Sequence, residues 1–550
     1  MSYEVYWTKK IPLNAIIDPL GIRSLRALED IFLPGITTQT HRIRYFTFLL
    51  WAWNQVKDRK INLLQMEKLL TLIVQYNHGT NVPYGSRNTE KTQDFLQKKT
   101  EDATIDLAEF TDFGVPGSNY TVGYGDSLYK NSLAMLELVG TNDFREIKFS
   151  EAGRTIANSL EHAKGKEAFF QTSISKKELK ELHDHFCLCR ETITDLEVDL
   201  WRKIFFGFTR SDKTGTLVFD EDKFQSFQNN TLQYYRSPQE WYEIACSNQP
   251  EKIALGRGSL LLMILRIIEN AEPSSQSVNQ TIRDAIYFKQ FINSKQEVQV
   301  IDFGSLEAFR TIWEVYVHNL YIMSFLEKTF GIFLKLLEKK PMGTRLENLI
   351  SDLSFNKLEE NFLSSIGSVD LSRSEEILSK ELPGKTTLKT RINERDIFRK
   401  AQSSSTIEEK LSNYLVLLCL LKHRKMSFSE PQLSMLQYLE RSTYNLSPNT
   451  LYTNILQSDL RKTIGALFRN LINNHRTVIA ERYGAGTKCW LLTEEKGLLI
   501  PYSTPYEGVT YSETKWRNVL EFLYDLKLVE KTDQKFSISE AGSRWLKHQV

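Results

Sequence analysis

Cysteine is scarce in this sequence: five in 550 residues. That is too few for a disulfide framework and points to a reducing compartment. Long apolar runs are missing too. The densest, residues 45–53, is too short to span a bilayer. The opening MSYEVYWTKK has neither the apolar core nor the small-residue cleavage site of a signal peptide. A cytoplasmic protein with no membrane partner is therefore expected. Neither sign of charge prevails, since 70 Lys+Arg face 68 Asp+Glu. This excludes a uniformly polybasic coat for nucleic acid but leaves room for a local basic patch. Phosphate loops are absent: Gly256-Arg257-Gly258-Ser259 lacks a Lys-Ser/Thr ending and reads as a helix entry. Gly123-Tyr124-Gly125-Asp126 is equally generic. No cofactor is expected. With no enzymatic motif of high specificity, a non-catalytic protein is favoured over an enzyme.

What is present is ordinary globular composition, 41% hydrophobic and 25% charged, in a chain long enough for about three or four domains. Helical periodicity dominates, so the fold class expected is mainly α and multidomain. Four blocks are read: 1–165, 166–300, 301–445 with a polar connector at 364–406, and 446–550. In the first, Leu33-Pro34-Gly35 stops a helix, residues 37–40 can cap the next, and residues 42–56 are apolar on every side, as befits a buried helix. In the third, Phe309, Trp313, Tyr316, Leu320, Met323, Phe330, Phe333 and Leu337 recur at helical spacing along roughly 45 Å, a packing spine.

Two distant segments echo each other. Leu136-Glu137-Leu138-Val139 leads to Ser150-Glu151-Ala152-Gly153-Arg154, and Leu526-Lys527-Leu528-Val529 leads to Ser539-Glu540-Ala541-Gly542-Ser543-Arg544. Each reads as helix, strand, turn, strand, then a Ser-capped helix with Glu in its first turn. This order resembles the wing half of winged-helix domains, near residues 120–160 and at the C-terminus. A weaker third candidate is Trp490-Leu491-Leu492-Thr493-Glu494-Glu495-Lys496-Gly497. In a DNA-bound winged helix, a recognition helix enters the major groove while cations grip phosphates. Lys515, Arg517, Lys531, Lys535 and Arg544 are the residues that would do so here. Glu513, Glu521 and Asp525 on the same helix weigh against it, with Arg517 and Glu521 spaced as a surface pair. Trp516, Val519, Leu520 and Leu523 share one helical face and should be core.

Three other constellations are weighed. His183, His185, Cys187 and Cys189 are zinc-ligand types, but on a single helix they form two opposed pairs. No metal is expected, and the cysteines read as small core residues. Arg469 and His475 fit the loose Arg-x(4–6)-His pattern seen in the HEPN ribonuclease superfamily. A phosphate-holding Arg and a proton-transferring His would serve RNA cleavage. Their offset of six puts them on different faces unless the helix ends at Asn473-Asn474, and a helix end feeding a turn at residues 483–486 is preferred. The acidic clusters Glu197-Val198-Asp199 and Asp220-Glu221-Asp222 read as solvated faces.

The opening Asp18-Pro19-Leu20-Gly21-Ile22-Arg23, followed by Leu33-Pro34-Gly35-Ile36-Thr37-Thr38-Gln39-Thr40-His41-Arg42-Ile43-Arg44-Tyr45-Phe46, resembles the N-terminal signature of an uncharacterised bacterial family, a domain of unknown function. The long helix with Trp313, Tyr316, His318 and Tyr321 is similar to that family's middle. Genes of the family lie among phage-defence and mobile-element genes, so the resemblance implies a defence role. It supplies no catalytic residues. Within the signature, Arg42 and Arg44 are candidates to hold an anion or carboxylate. An internal salt bridge to Asp18 or Glu29 is the plainer reading. The expectation is a DNA-engaging, non-catalytic subunit of a bacterial anti-phage or anti-mobile-element complex, with duplex DNA and a protein from the same operon as partners. The alternatives are a ribonuclease using Arg469 and His475, or a kleisin-like adaptor docking a partner ATPase or nuclease.

Overall fold

A computed structural model gives the fold. It describes residues 18, 20–36, 42–56, 62–83, 86–111, 129–143, 146–228, 236–247, 249–274, 277–367, 385–441, 443, 446–448, 451, 459–483, 491–493, 498–501, 514–532 and 535–547. Residues 37–40, Gly123–Asp126, residues 368–384 of the 364–406 connector, the 483–486 turn beyond Tyr483, parts of the Trp490–Gly497 segment, and Glu513 lie outside these. The fold is mainly α, and among the described residues strands occur only in small two- and three-stranded sheets. Among the described residues no helix is long and apolar enough to cross a membrane.

Contacts divide the chain into two units: 1–28, 283–301 and 311–513 form one, and 29–282, 302–310 and 514–550 the other. Each is assembled from segments far apart in sequence, unlike the four consecutive blocks. The expected block 446–550 is shared out between both.

The first unit is built on residues 311–338 of the helix Glu307–Glu338, 32 residues long. Trp313, Tyr316, Leu320, Met323, Phe330, Phe333 and Leu337 are all buried along it. Ile407–Lys425, entered through a capping box at Thr406 and Glu409, carries a nearly unbroken apolar run. A guanidinium is buried at its far end. Arg424 Nε donates to Glu314 Oε1 at 3.0 Å and Nη1 to Thr386 Oγ1 at 3.1 Å. Its guanidinium carbon stands 3.7 Å from the centre of the Tyr287 ring. Lys385 takes the other Glu314 oxygen at 2.9 Å. Burial, with the Arg424 charge nearby, pushes His318 down to about 3, so its ring is neutral at ordinary pH.

Among its described residues the second unit repeats one local design three times. A helix ends, one residue takes a left-handed backbone, a hairpin follows, and a capped helix begins. The helices preceding the hairpins are Lys130–Met135, Asp195–Phe205 and Trp516–Asp525. The left-handed residues are Glu137 (φ 58°), Gly207 (φ 75°) and Lys527 (φ 57°). After each, a residue donates its N–H five positions back into the helix: Leu138 to Leu133, Phe208 to Lys203, and Leu528 to Leu523. The carbonyls of Leu138, Phe208 and Leu528 then accept from Ser150, Asp220 and Ser539, the residues that cap the following helices. The hairpins pair Val139 with Phe149, Thr209 with Phe219, and Val529 with Ile538.

Two glycines are dictated by this design. A Cβ on Gly153 would lie 2.2 Å from the Leu138 carbonyl oxygen, and one on Gly542 2.1 Å from that of Leu528. The echo Ser-Glu-Ala-Gly therefore encodes a cap and a close approach of helix to hairpin. The repeats pack on one another through aromatic surface. Trp545 sits among Phe206, Phe208, Phe224 and Phe227, with ring centroids 4.4–6.4 Å away.

Candidate functional site

The helix Trp516–Asp525 is buried on nearly all sides: Trp516, Asn518, Val519, Leu520, Glu521, Phe522, Leu523 and Asp525 are all inaccessible. The expectation for the Trp516 face holds, but the opposite face is enclosed as well. Phe522 packs between Phe46 and Phe205. Two of the cations assigned to phosphates are spent internally. Lys515 is buried, with Nζ on Asp30 at 2.8 Å and its backbone N–H donating to Glu29. Lys531 reaches the buried Glu521 at 2.7 Å, so Glu521 is no surface partner for Arg517, which is half-buried. Lys535 and Arg544 remain exposed. The strand carrying Lys535 is tied down, since Phe536 N–H donates to the Pro273 carbonyl at 3.0 Å. Arg190 fastens the hairpin through a bidentate pair with Glu530 at 2.5 and 2.8 Å. A helix packed this way cannot enter a major groove as it stands.

Arg42 and Arg44 are internal, and the anion-site reading is corrected. Arg42 Nη2 lies 2.7 Å from Asp525 Oδ1. Arg44 pairs with Glu197 and also donates to the His185 carbonyl. The carboxylates are not Asp18 or Glu29. Asp18 accepts instead from the N–H groups of Ile22 and Arg23. Glu197, expected on a solvated face, is fully buried because it answers Arg44.

Arg469 and His475 do not form a site. The helix Leu460–Tyr483 runs unbroken through both, so the offset of six keeps them apart. Arg469 is 63% exposed and 3.9 Å from Glu347. His475 is fully buried, with its ring 5.2 Å from that of Phe330. A phosphate on Arg469 would have no path to the imidazole.

A cleft of about 250 Å³ opens beside the first hairpin repeat. Ile31, Pro34, Met135 and Leu217 give it an apolar floor, and Asp30, Glu137 and Glu251 stand among its lining residues. Met135 is 59% exposed. Arg257, also in the lining, turns its guanidinium to the carbonyls of Phe205 and Ile204 at 3.1 and 2.7 Å. Burial raises the Glu137 carboxyl above its usual range despite the Arg257 charge.

The histidine and cysteine cluster differs most from expectation. The helix His183–Phe186 is a single turn. Cys187 leaves it in extended backbone (φ −61°, ψ 155°) and Cys189 continues so (φ −73°, ψ 153°). The two opposed pairs of a continuous helix therefore never form. The Cys187–Cys189 bend is held by Thr192 Oγ1, which donates to the carbonyls of Cys187 at 2.7 Å and Cys189 at 2.9 Å. His78, in the last turn of the helix Leu63–His78, meets this bend. Its Nε2 is 3.0 Å from Cys187 Sγ, and Cys189 Sγ is 3.7 Å from His183 Nε2. The four ligand-type atoms all lie within 4.8 Å of one another. His185 is not among them. The Cys187 thiol, donating to Cys189, and the neighbouring His78 and His183 hold the Cys189 thiol below its usual range against its burial. The same partnership pushes Cys187 well up. Sequence reasoning missed His78, 109 residues before Cys187. No local signal pointed to it, because the fold alone brings the two segments together.

Comparisons with protein-family models, curated proteins and solved structures find no match to this chain.

Proposed function

We propose that this protein is a non-catalytic adaptor that docks a partner protein within a bacterial defence complex. The defence setting comes from the resemblance of residues 18–46 alone. The observation that carries the adaptor reading is the burial of Trp516–Asp525 together with the internal pairing of Lys515 and Lys531. A winged-helix-like unit stripped of its groove-reading face still offers its hairpin and flanking clefts to proteins. The cleft around Met135 supports this chemistry. Its apolar floor suits an aliphatic side chain, and Glu137 and Glu251 in the lining favour a neighbouring cation, Asp30 being paired with Lys515. The split of Arg469 from His475 argues against the ribonuclease.

A second reading keeps DNA as a ligand, gripped by the exposed wing cations Lys535 and Arg544. One experiment separates the two. The full chain is co-expressed with the products of neighbouring genes, sized by chromatography, and titrated with duplex DNA at rising salt. Adaptor function gives a defined complex that Met135→Asp abolishes while the circular dichroism spectrum is kept. If no complex forms, and salt-sensitive DNA binding is lost in Lys535→Glu/Arg544→Glu, the DNA reading replaces it.

A further inference from the structure

We infer that His78, His183, Cys187 and Cys189 form a tetrahedral site for one zinc ion that staples two separate parts of the fold. The donor set is the first support. Two imidazoles and two thiols converging on one point is a Cys₂His₂ set, which selects zinc over the hard cations that prefer oxygen. Distance is the second. Zn–S of about 2.3 Å and Zn–N of about 2.0–2.1 Å put tetrahedral donors about 3.3–3.8 Å apart. The 3.0 Å His78–Cys187 and 3.7 Å His183–Cys189 separations lie close to that range.

The surroundings fit as well. His183 Nδ1 is 3.0 Å from Asp184 Oδ1. A carboxylate in that place fixes the tautomer that leaves Nε2 free to bind metal. Cys187 is fully buried and Cys189 only 7% exposed. Two thiolates there would be costly alone, and zinc would cancel their charge. All four positions come from the protein, so the site is closed and structural, with no place for a catalytic water.

The ion would join the end of Leu63–His78 to the bend that precedes Asp195–Phe205. The turns on either side of that bend offer the His185 carbonyl to Arg44 and carry Arg190, the partner of Glu530. Zinc would thus fix the platform on which the third hairpin repeat is fastened. Nothing in this inference depends on the adaptor reading.

The test uses the full chain purified under reducing conditions without a histidine tag. Metal content is measured by mass spectrometry, and cobalt(II) is added to the chelator-stripped protein as a spectroscopic probe. Equimolar zinc is expected, with the visible bands of tetrahedral cobalt and a thiolate-to-metal charge-transfer band. Loss of an outer-shell partner alone lowers metal affinity about 10–100-fold, so Cys189→Ser and His183→Ala should lose at least that much. His185→Ala and Cys246→Ser should keep the ion. Should the ligand variants fail to fold, the wild-type cobalt spectrum decides. Zinc far below equimolar with no thiolate band overturns the inference, as does full zinc retained in folded Cys189→Ser and His183→Ala.

Discussion

Asp525 binds Arg42 and caps the helix that follows it. One carboxylate oxygen is 2.7 Å from Arg42 Nη2, and the other accepts from the Ile43 backbone N–H at 3.0 Å. The start of Ile43–Val56 is thus completed by a side chain 482 residues further along. Both side chains are buried, so the pair loses hydration that its attraction must offset. Burial wins at the carboxyl, pushing Asp525 up to about 7 against the opposing pull of Arg42.

The first prediction concerns pH. A carboxyl raised from its ordinary 3.8 to about 7 holds its proton longer folded than unfolded. Its contribution is therefore complete below about pH 4 and is lost as pH rises toward 7. The slope is at most roughly 1.4 kcal/mol per pH unit. The stability of the wild type relative to Asp525→Asn, from urea melts at pH 5, 6, 7 and 8, should fall with each step up to 7 and then level off. A difference that stays flat from pH 5 to 8 would mean that Asp525 is ionised throughout.

Replacing glycine by alanine inside a helix usually stabilises by about 0.5–1 kcal/mol. Gly153→Ala and Gly542→Ala should do the reverse. Their methyl groups would fall on the Leu138 and Leu528 carbonyls, and overpacking costs about 1–3 kcal/mol. Thermal melts check the sign.

Arg424→Met should destabilise the first unit strongly. Removing one member of a buried ionic set costs about 3–5 kcal/mol because its partners stay buried and charged. Here Glu314, at 0% exposure, would lose the guanidinium and keep Lys385, with Gln432 Nε2 3.5 Å away. Adding Glu314→Gln to Arg424→Met should recover part of the loss. A denaturation midpoint unmoved by the single variant would refute the arrangement.

Arg469→Ala should leave stability unchanged, within about 0.5 kcal/mol as for open surface sites, and, under the proposed defence role, phage protection as well. His475→Ala should lower the melting temperature, since the ring is fully buried against Phe330. Neither should remove protection at matched folded concentration. Joint collapse of protection in two folded variants would restore the ribonuclease.

Much of this was legible where the signal is local. The aromatic spacing of Phe309 to Leu337 gave one long buried helix, because 3.6-residue periodicity needs no tertiary knowledge. The echo of Leu136–Val139 with Leu526–Val529 was visible because the same letters meet the same needs. Its third instance was hidden: Gly207 replaces Glu137 and Lys527, and Asp220 replaces Ser150. Those substitutions meet the same backbone and capping requirements with different residues. Partners across long sequence distances could not be read at all. Nothing near Arg42 names Asp525, and nothing near Cys187 names His78. The cations at Lys515 and Lys531 looked available only because Asp30 and the orientation of Glu521 are products of the fold.

Trp545 closes an aromatic box made by residues 206–227, and Lys515 meets Asp30 across 485 residues. On a ribosome adding about 5–20 residues per second, that separation takes roughly half a minute to a minute and a half to make. From the time each is made until residues 515–545 follow, the box stands open, Glu29 and Arg42 lack their partners, and the first two hairpin repeats present bare apolar surface. The second unit is therefore assembled after the first has largely been synthesised, and its early segments depend on whatever shields them until the last repeat arrives.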